Sequence, residues 1–139
     1  MRLSNYCSDA EWKKIKDFAD GKETPFLVVD LEIINQKYEE LTTCFPMAKV
    51  HYALKANPGQ PVIELLRDKG SSFDIASIYE LNKVLDAGVE PERISYGNTI
   101  KKAAHVKYAY DKGVRLFATD SKADLQNIAE QAPGSKVPQ

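Results

Sequence analysis

Five short apolar runs of strand-forming composition recur along this chain at nearly constant intervals: FLVVD from Phe26, VHYAL from Val50, FDIAS from Phe73, ISYGN from Ile94 and LFATD from Leu116. Their starts lie 24, 23, 21 and 22 residues apart. Each interval has room for one helix, and a helical pattern fills it: Leu31–Thr43, Pro61–Lys69, Ile78–Ala87 and Ile100–Lys112, with Lys122–Gln131 after the last run. Val62, Leu65 and Leu66, and likewise Leu81, Val84 and Leu85, fall at helical spacing and give their helices one apolar face. A further amphipathic helix precedes the first run, in SDAEWKKIKDFADG, with Ser8 as its N-cap and Gly21 just past its end. Strand and helix in regular alternation, joined by short loops, specify a parallel sheet covered by helices.

The punctuation agrees. Gly70, Gly88 and Gly113 each follow a helix, where a left-handed C-cap suits glycine. Ser77 with Glu80, and Ser121 with Asp124, have capping-box spacing at helix starts. Asn57, Pro58, Gly59 and Pro61 read as a strand-to-helix turn, with Pro61 near the first helical position. Two closures fit such a sheet, an open doubly wound form and a (β/α)8 barrel. Neither GxGxxG nor GxxxxGK[ST] occurs, so the nucleotide-binding forms of the open sheet lose their best signature. A complete barrel takes about 250 residues. The 139 residues here cannot close one, so the α/β fold is either an open sheet or a partial (β/α)8 TIM barrel with about half of its strands.

Composition narrows the function classes. Lys and Arg total 19 against 20 Asp and Glu, a net charge of -1, so no global positive field recruits nucleic acid or an anionic membrane. No apolar run approaches the roughly 20 residues of a membrane span, and MRLSNYCSDAEWKK contains no signal-peptide stretch. Cys7 and Cys44 form no CxxC pair and read as free thiols of a cytoplasmic protein.

Lys55 is the first residue that could carry chemistry. In VHYALKANP it sits at the C-terminal end of an otherwise apolar strand, on the face that it shares with Ala53 by period two. Active sites of barrels are built at that end, and the small Ala53 leaves room for a planar ring. A desolvated lysine becomes a nucleophilic amine, as Schiff-base chemistry requires; on spacing alone, a loop lysine with its ammonium in water is the simpler alternative. Asp74, in the next strand, would lie beside Lys55 if adjacent strands pair in parallel, and could pair with a cation or orient a ligand; a loop hydrogen bond would explain it equally. Glu80 is accounted for structurally by its box with Ser77. His51 and His105 lack the spacing of metal ligands, and His51 reads as a packed interior histidine. Lys13-Lys14 and Lys101-Lys102 read as solvated helix faces.

Taken together, YALKAN from Tyr52, FDIASxxEL from Phe73 and ISYGNxxK from Ile94 resemble the fold-type III pyridoxal-phosphate enzymes, and within them the ornithine/lysine/arginine decarboxylases. TPFLVVD from Thr24 and the stretch Val106–Ser121 look like the same group, so the resemblance covers residues 22–137, with 1–21 as a preceding helical segment. It implies pyridoxal 5'-phosphate as cofactor, with Lys55 matching the lysine that holds it, Ala53 a residue lining it, Asp74 the aspartate beside the cofactor and lysine, and Glu80 a glutamate near the site. It further implies decarboxylation of a basic amino acid, ornithine first and lysine or arginine next, to a diamine of polyamine biosynthesis, in a cytoplasmic homodimer. Other fold-type III enzymes, diaminopimelate decarboxylase or an alanine racemase-like enzyme, are the neighbouring alternatives, and a non-catalytic regulatory decoy is another. In such regulators the motif aspartate is typically replaced, so Asp74 favours an enzyme. The resemblance also implies a longer chain: the second half of the barrel, with its ring-stacking histidine and phosphate-binding glycine loop, and a β-rich domain lie outside these residues. The expectation is therefore an N-terminal fragment of a decarboxylase, inactive by itself.

Overall fold

A computed structural model describes residues 7–137, which divide into two units, one before and one after the Asp30–Leu31 boundary. In the first, helix α1 (Asp9–Ala19) begins at the expected cap: the Ser8 hydroxyl accepts from Glu11 N at 3.2 Å, and Glu11 Oε2 accepts from Ser8 N at 2.6 Å. This reciprocal box satisfies two of the backbone donors that a helix start leaves open. The Phe26–Asp30 run forms no strand, contrary to the expectation from its composition. Strand preference in such a segment is a preference for a half-buried pleated surface, and no described strand hydrogen-bonds alongside it.

The second unit alternates as the spacing predicts. Helix α2 (Leu31–Cys44) precedes four βα units: β1 (His51–Ala53) with α3 (Gln60–Asp68), β2 (Ser72–Ile75) with α4 (Ile78–Asp86), β3 (Ile94–Tyr96) with α5 (Ala103–Asp111), and β4 (Leu116–Phe117) with α6 (Lys122–Gln131). All strands are parallel, in the order β1-β2-β3-β4. The sheet thus has four strands where five apolar runs were counted.

Register sorts the side chains. Tyr52 pairs with Phe73 and Phe73 with Ile94, while Ile75 pairs with Tyr96 and Tyr96 with Phe117. These residues share the face that α3 to α6 cover, where Val62, Ile63, Leu66, Leu81, Val84, Val106 and Ile128 are buried with them. Two ring pairs knit that layer, Tyr52 edge-on to Phe73 and Tyr96 stacked on Phe117, with centroids 6.3 and 6.1 Å apart. The opposite face carries the row Ala53, Asp74, Ser95, Leu116. Gly113 turns the chain from α5 into β4 at φ 100, and a Cβ there would stand 2.8 Å from Pro91 Cβ, so both backbone and space demand glycine.

One helix departs from the expected pattern. α5 starts at Ala103, three residues after Ile100, because Lys101 turns inward. Its side chain is fully buried, and Nζ donates to Asn98 O (2.8 Å), Ala118 O (2.7 Å) and Asp124 Oδ2 (2.7 Å). Lys101 is therefore no solvated helix residue. Three acceptors satisfy all three ammonium protons, and they clamp the β3–α5 loop to the end of β4 and the start of α6. Asp124 likewise leaves its expected capping role half filled: its N–H donates to the Ser121 hydroxyl at 3.2 Å, but its carboxylate goes to Lys101.

Removing one member of a buried pair strands the other charge, at a cost of about 3–5 kcal/mol. Lys101→Met and Asp124→Leu are each expected to destabilise the fold by that amount, read from the shift in urea midpoint. A loss below about 1 kcal/mol in both, the range of an exposed pair, would contradict the burial described here.

Candidate active site

The carboxyl ends of β1, β2 and β3 open into a cleft of about 210 Å³ lined by Ala53, Lys55, Asp74, Ala76, Glu80, Gly97, Asn98 and Thr99. All four residues singled out from the sequence, Lys55, Ala53, Asp74 and Glu80, are brought together there. Lys55 arrives by a route that strand alternation does not describe. β1 ends at Ala53, and Lys55 occupies the following single 3-10 turn, Leu54–Ala56, whose Leu54 is fully buried and anchors it. The lysine is exposed at the cleft.

Asp74 is held from behind. It pairs with Ala53 on one side and Ser95 on the other, and Ser95 Oγ donates to Asp74 Oδ1 at 2.6 Å. His51 Nδ1 lies 3.2 Å from the same hydroxyl. Burial lowers the His51 pKa from its ordinary value and the Lys49 charge lowers it further, while the Asp74 carboxylate offsets part of the shift. Glu80 does what its spacing suggests, with one change: its N–H donates to the Ser77 hydroxyl at 3.2 Å, whereas Oε2 accepts from Ala76 N, 2.6 Å away, instead of from the cap residue. The carboxylate thereby pins the backbone at the end of β2 while its residue lines the cleft.

Sequence reading assigned no role to Gly97. A Cβ at this position would overlap both Asp74 carboxylate oxygens and lie 2.6 Å from Cγ. Its signal was present, a glycine directly after a strand, where a close approach is common. Asn98 and Thr99 complete that wall; Asn98 Nδ2 donates to Ala76 O at 3.3 Å, tying the third loop to the second.

Residues 31–138 match the family described as pyridoxal-dependent decarboxylase, pyridoxal binding domain. The chain belongs to this family. It is 36% identical over 125 residues to the lysine/ornithine decarboxylase of Selenomonas ruminantium, covering 90% of this chain and 32% of that protein. It is 34% identical over 112 residues to antizyme inhibitor 2 of Xenopus laevis, covering 81% of this chain and 25% of that protein. Among solved structures, the arginine decarboxylase of Paramecium bursaria Chlorella virus superposes with a TM-score of 0.83 at 29% identity, over 94% of this chain and 35% of that one. The chain spans about a quarter to a third of the length of the curated relatives that it matches. The parallel α/β layer thus matches about a third of the chain of these decarboxylases, and the cofactor of this family is pyridoxal phosphate. The cleft suits such a group: a primary amine that can bond to an aldehyde carbon, a floor of small residues (Ala53, Ala76, Gly97) and carboxylates beside it.

Two outcomes are expected from this geometry. Gly97→Ala forces the Asp74 carboxylate off its seat and costs about 1–3 kcal/mol, the usual range for overpacking, read from the shift in urea midpoint; an unchanged midpoint would contradict the close approach. His51 should also make folding pH-dependent. The unfolded imidazole, titrating near 6.5, binds a proton more readily than the folded one. The contribution is therefore complete above that value and is lost as the pH falls through it toward the lowered folded pKa. His51→Phe should flatten the stability profile in that acidic window, and an unaltered slope would refute the assignment.

Proposed function

We propose that this chain supplies the lysine-bearing wall of a pyridoxal-phosphate-dependent site that decarboxylates a basic amino acid, ornithine first and lysine or arginine next, to a diamine or its guanidino equivalent. One observation carries this reading: the Lys55 amine and the Asp74 carboxylate open into one cleft, over small residues, at the carboxyl ends of parallel strands. That is where barrels place their chemistry. The names of the relatives support the substrate class.

Lys55 would hold the cofactor through its amine, and Ala53, Ala76 and Gly97 would leave space for the ring. When bound, pyridoxal phosphate supplies the electron sink into which the pair of the breaking carbon–carbon bond drains. The residues of this chain do the rest of what lies in reach. The Lys55 amine must shed its proton to act as a nucleophile, and the Asp74 carboxylate, lining the same cleft, can orient cationic nitrogen that enters it. Glu80 fixes the Ala76 backbone under the cleft. In this reading the phosphate is held by the glycine loop that the family resemblance implies outside these residues, in a cytoplasmic homodimer. A second reading, a non-catalytic regulator, draws on the likeness to antizyme inhibitor 2; retention of both Lys55 and Asp74 favours the enzyme.

Borohydride reduction after incubation with pyridoxal phosphate, followed by peptide mapping, tests the proposal. Label is expected on Lys55 above the exposed lysines Lys13 and Lys37, and Lys55→Ala should abolish the preference. Uniform labelling of surface lysines would overturn it. Residues 1–139 by themselves are expected to release no CO₂ from ornithine, lysine or arginine.

A further inference from the structure

The inner face of the sheet holds a hydrogen-bond chain that the chemistry above leaves unused, and its direction can be worked out from proton counting. A serine hydroxyl has one proton to give and lone pairs to accept with. The Ser95 Oγ to Asp74 Oδ1 distance, 2.6 Å, is that of a charge-assisted O–H···O⁻ bond. The competing acceptor, Phe73 O, is 3.4 Å away. The hydroxyl proton therefore lies toward Asp74. What Ser95 presents to His51 Nδ1, 3.2 Å away, is a lone pair, and a lone pair needs a donor.

We propose that His51 and Ser95 are positioning residues of the site: His51, carrying its hydrogen on Nδ1, donates to Ser95, which donates to Asp74 and fixes Oδ1 of an ionised carboxylate in the cleft beside Lys55. The proposal rests on the reading of Asp74 as part of the cofactor site. The groups facing His51 are few. Lys49 precedes it on its own segment, Asp74 and the Phe73 carbonyl come from β2, and Ser95 comes from β3. Burial and Lys49 both disfavour the imidazolium, so near neutral pH the ring has a single hydrogen and must choose a nitrogen. Ser95 selects Nδ1. The chain also explains why Gly97 must be bare: with Oδ1 fixed by Ser95, the carboxylate is not free to move aside for a Cβ.

Long-range ¹H–¹⁵N correlation spectra of the 139-residue protein decide the matter, since His51 and His105 are its two histidines and His105→Gln assigns them. Neutral His51 is expected in the Nδ1–H form. Ser95→Ala, which removes the lone pair, should convert it to Nε2–H, and Ser95→Thr, which keeps the hydroxyl, should preserve Nδ1–H. Labelling of Lys55 by pyridoxal phosphate and borohydride should fall in Ser95→Ala and recover in Ser95→Thr. Wild-type His51 in the Nε2–H form would overturn the proposal without any variant, as would a tautomer or a Lys55 labelling indifferent to Ser95→Ala. Failure of the cofactor reading shows differently, as a wild-type protein whose Lys55 takes no preferential label.

Discussion

Parallel pairing in one register is the constraint on which the rest of this molecule depends. With Ala53, Asp74 and Ser95 side by side, their neighbours Tyr52, Phe73 and Ile94 must face the helices. Side chains alternate with period two, so a slip of one residue in any strand would send its aromatic or branched residues into the cleft and its polar ones among Leu81 and Val84. The apolar faces of α3 to α6 exclude that alternative, because burying Asp74 among hydrocarbon would strand an ion. Core and site are two sides of a single decision.

Charge is handled differently at the two ends of the sheet and on its surface. At the amino end, the Arg93 guanidinium gathers the carbonyls of Arg67 and Ser71, fixing the turn between α3 and β2. At the carboxyl end, Lys101 gathers Asn98, Ala118 and Asp124 and so holds the loop whose Gly97, Asn98 and Thr99 form one wall of the cleft. A planar fork suits several carbonyls at the margin of the fold, whereas an ammonium with three acceptors suits a closed pocket. The exposed Lys13–Asp17 and Lys107–Asp111 pairs follow helical spacing and contribute little to stability.

Within the cleft the two key charges are treated in opposite ways. The Asp74 carboxylate is tied through Ser95 to the interior and hemmed in by Gly97; Lys55 stands on a short turn over buried Leu54, exposed to whatever enters. A fixed carboxylate and an available amine suit a site whose lysine must form and release a covalent bond. Glu80 shows how a local motif can serve such a site: its carboxylate acts on the Ala76 backbone, where β2 gives way to α4, and steadies the floor.

Spacing, capping residues and apolar periodicity by themselves determined the alternation of β and α, the helix starts at Ser8, Ser77 and Ser121, and the placing of Lys55 beside Asp74 on adjacent strands, because these depend on neighbours in sequence or on one strand lying beside the next; Glu80 joined that group only through the family resemblance. The failures share a cause. Phe26–Asp30 has strand composition, but a strand exists only where another strand pairs with it. Lys101 resembles Lys102 in sequence, yet its burial is set by Asp124 and Ala118, 23 and 17 residues away. His51, Ser95 and Gly97 acquire their roles only when three strands align, since a hydroxyl proton or a missing Cβ has meaning only against the group that it meets across the sheet.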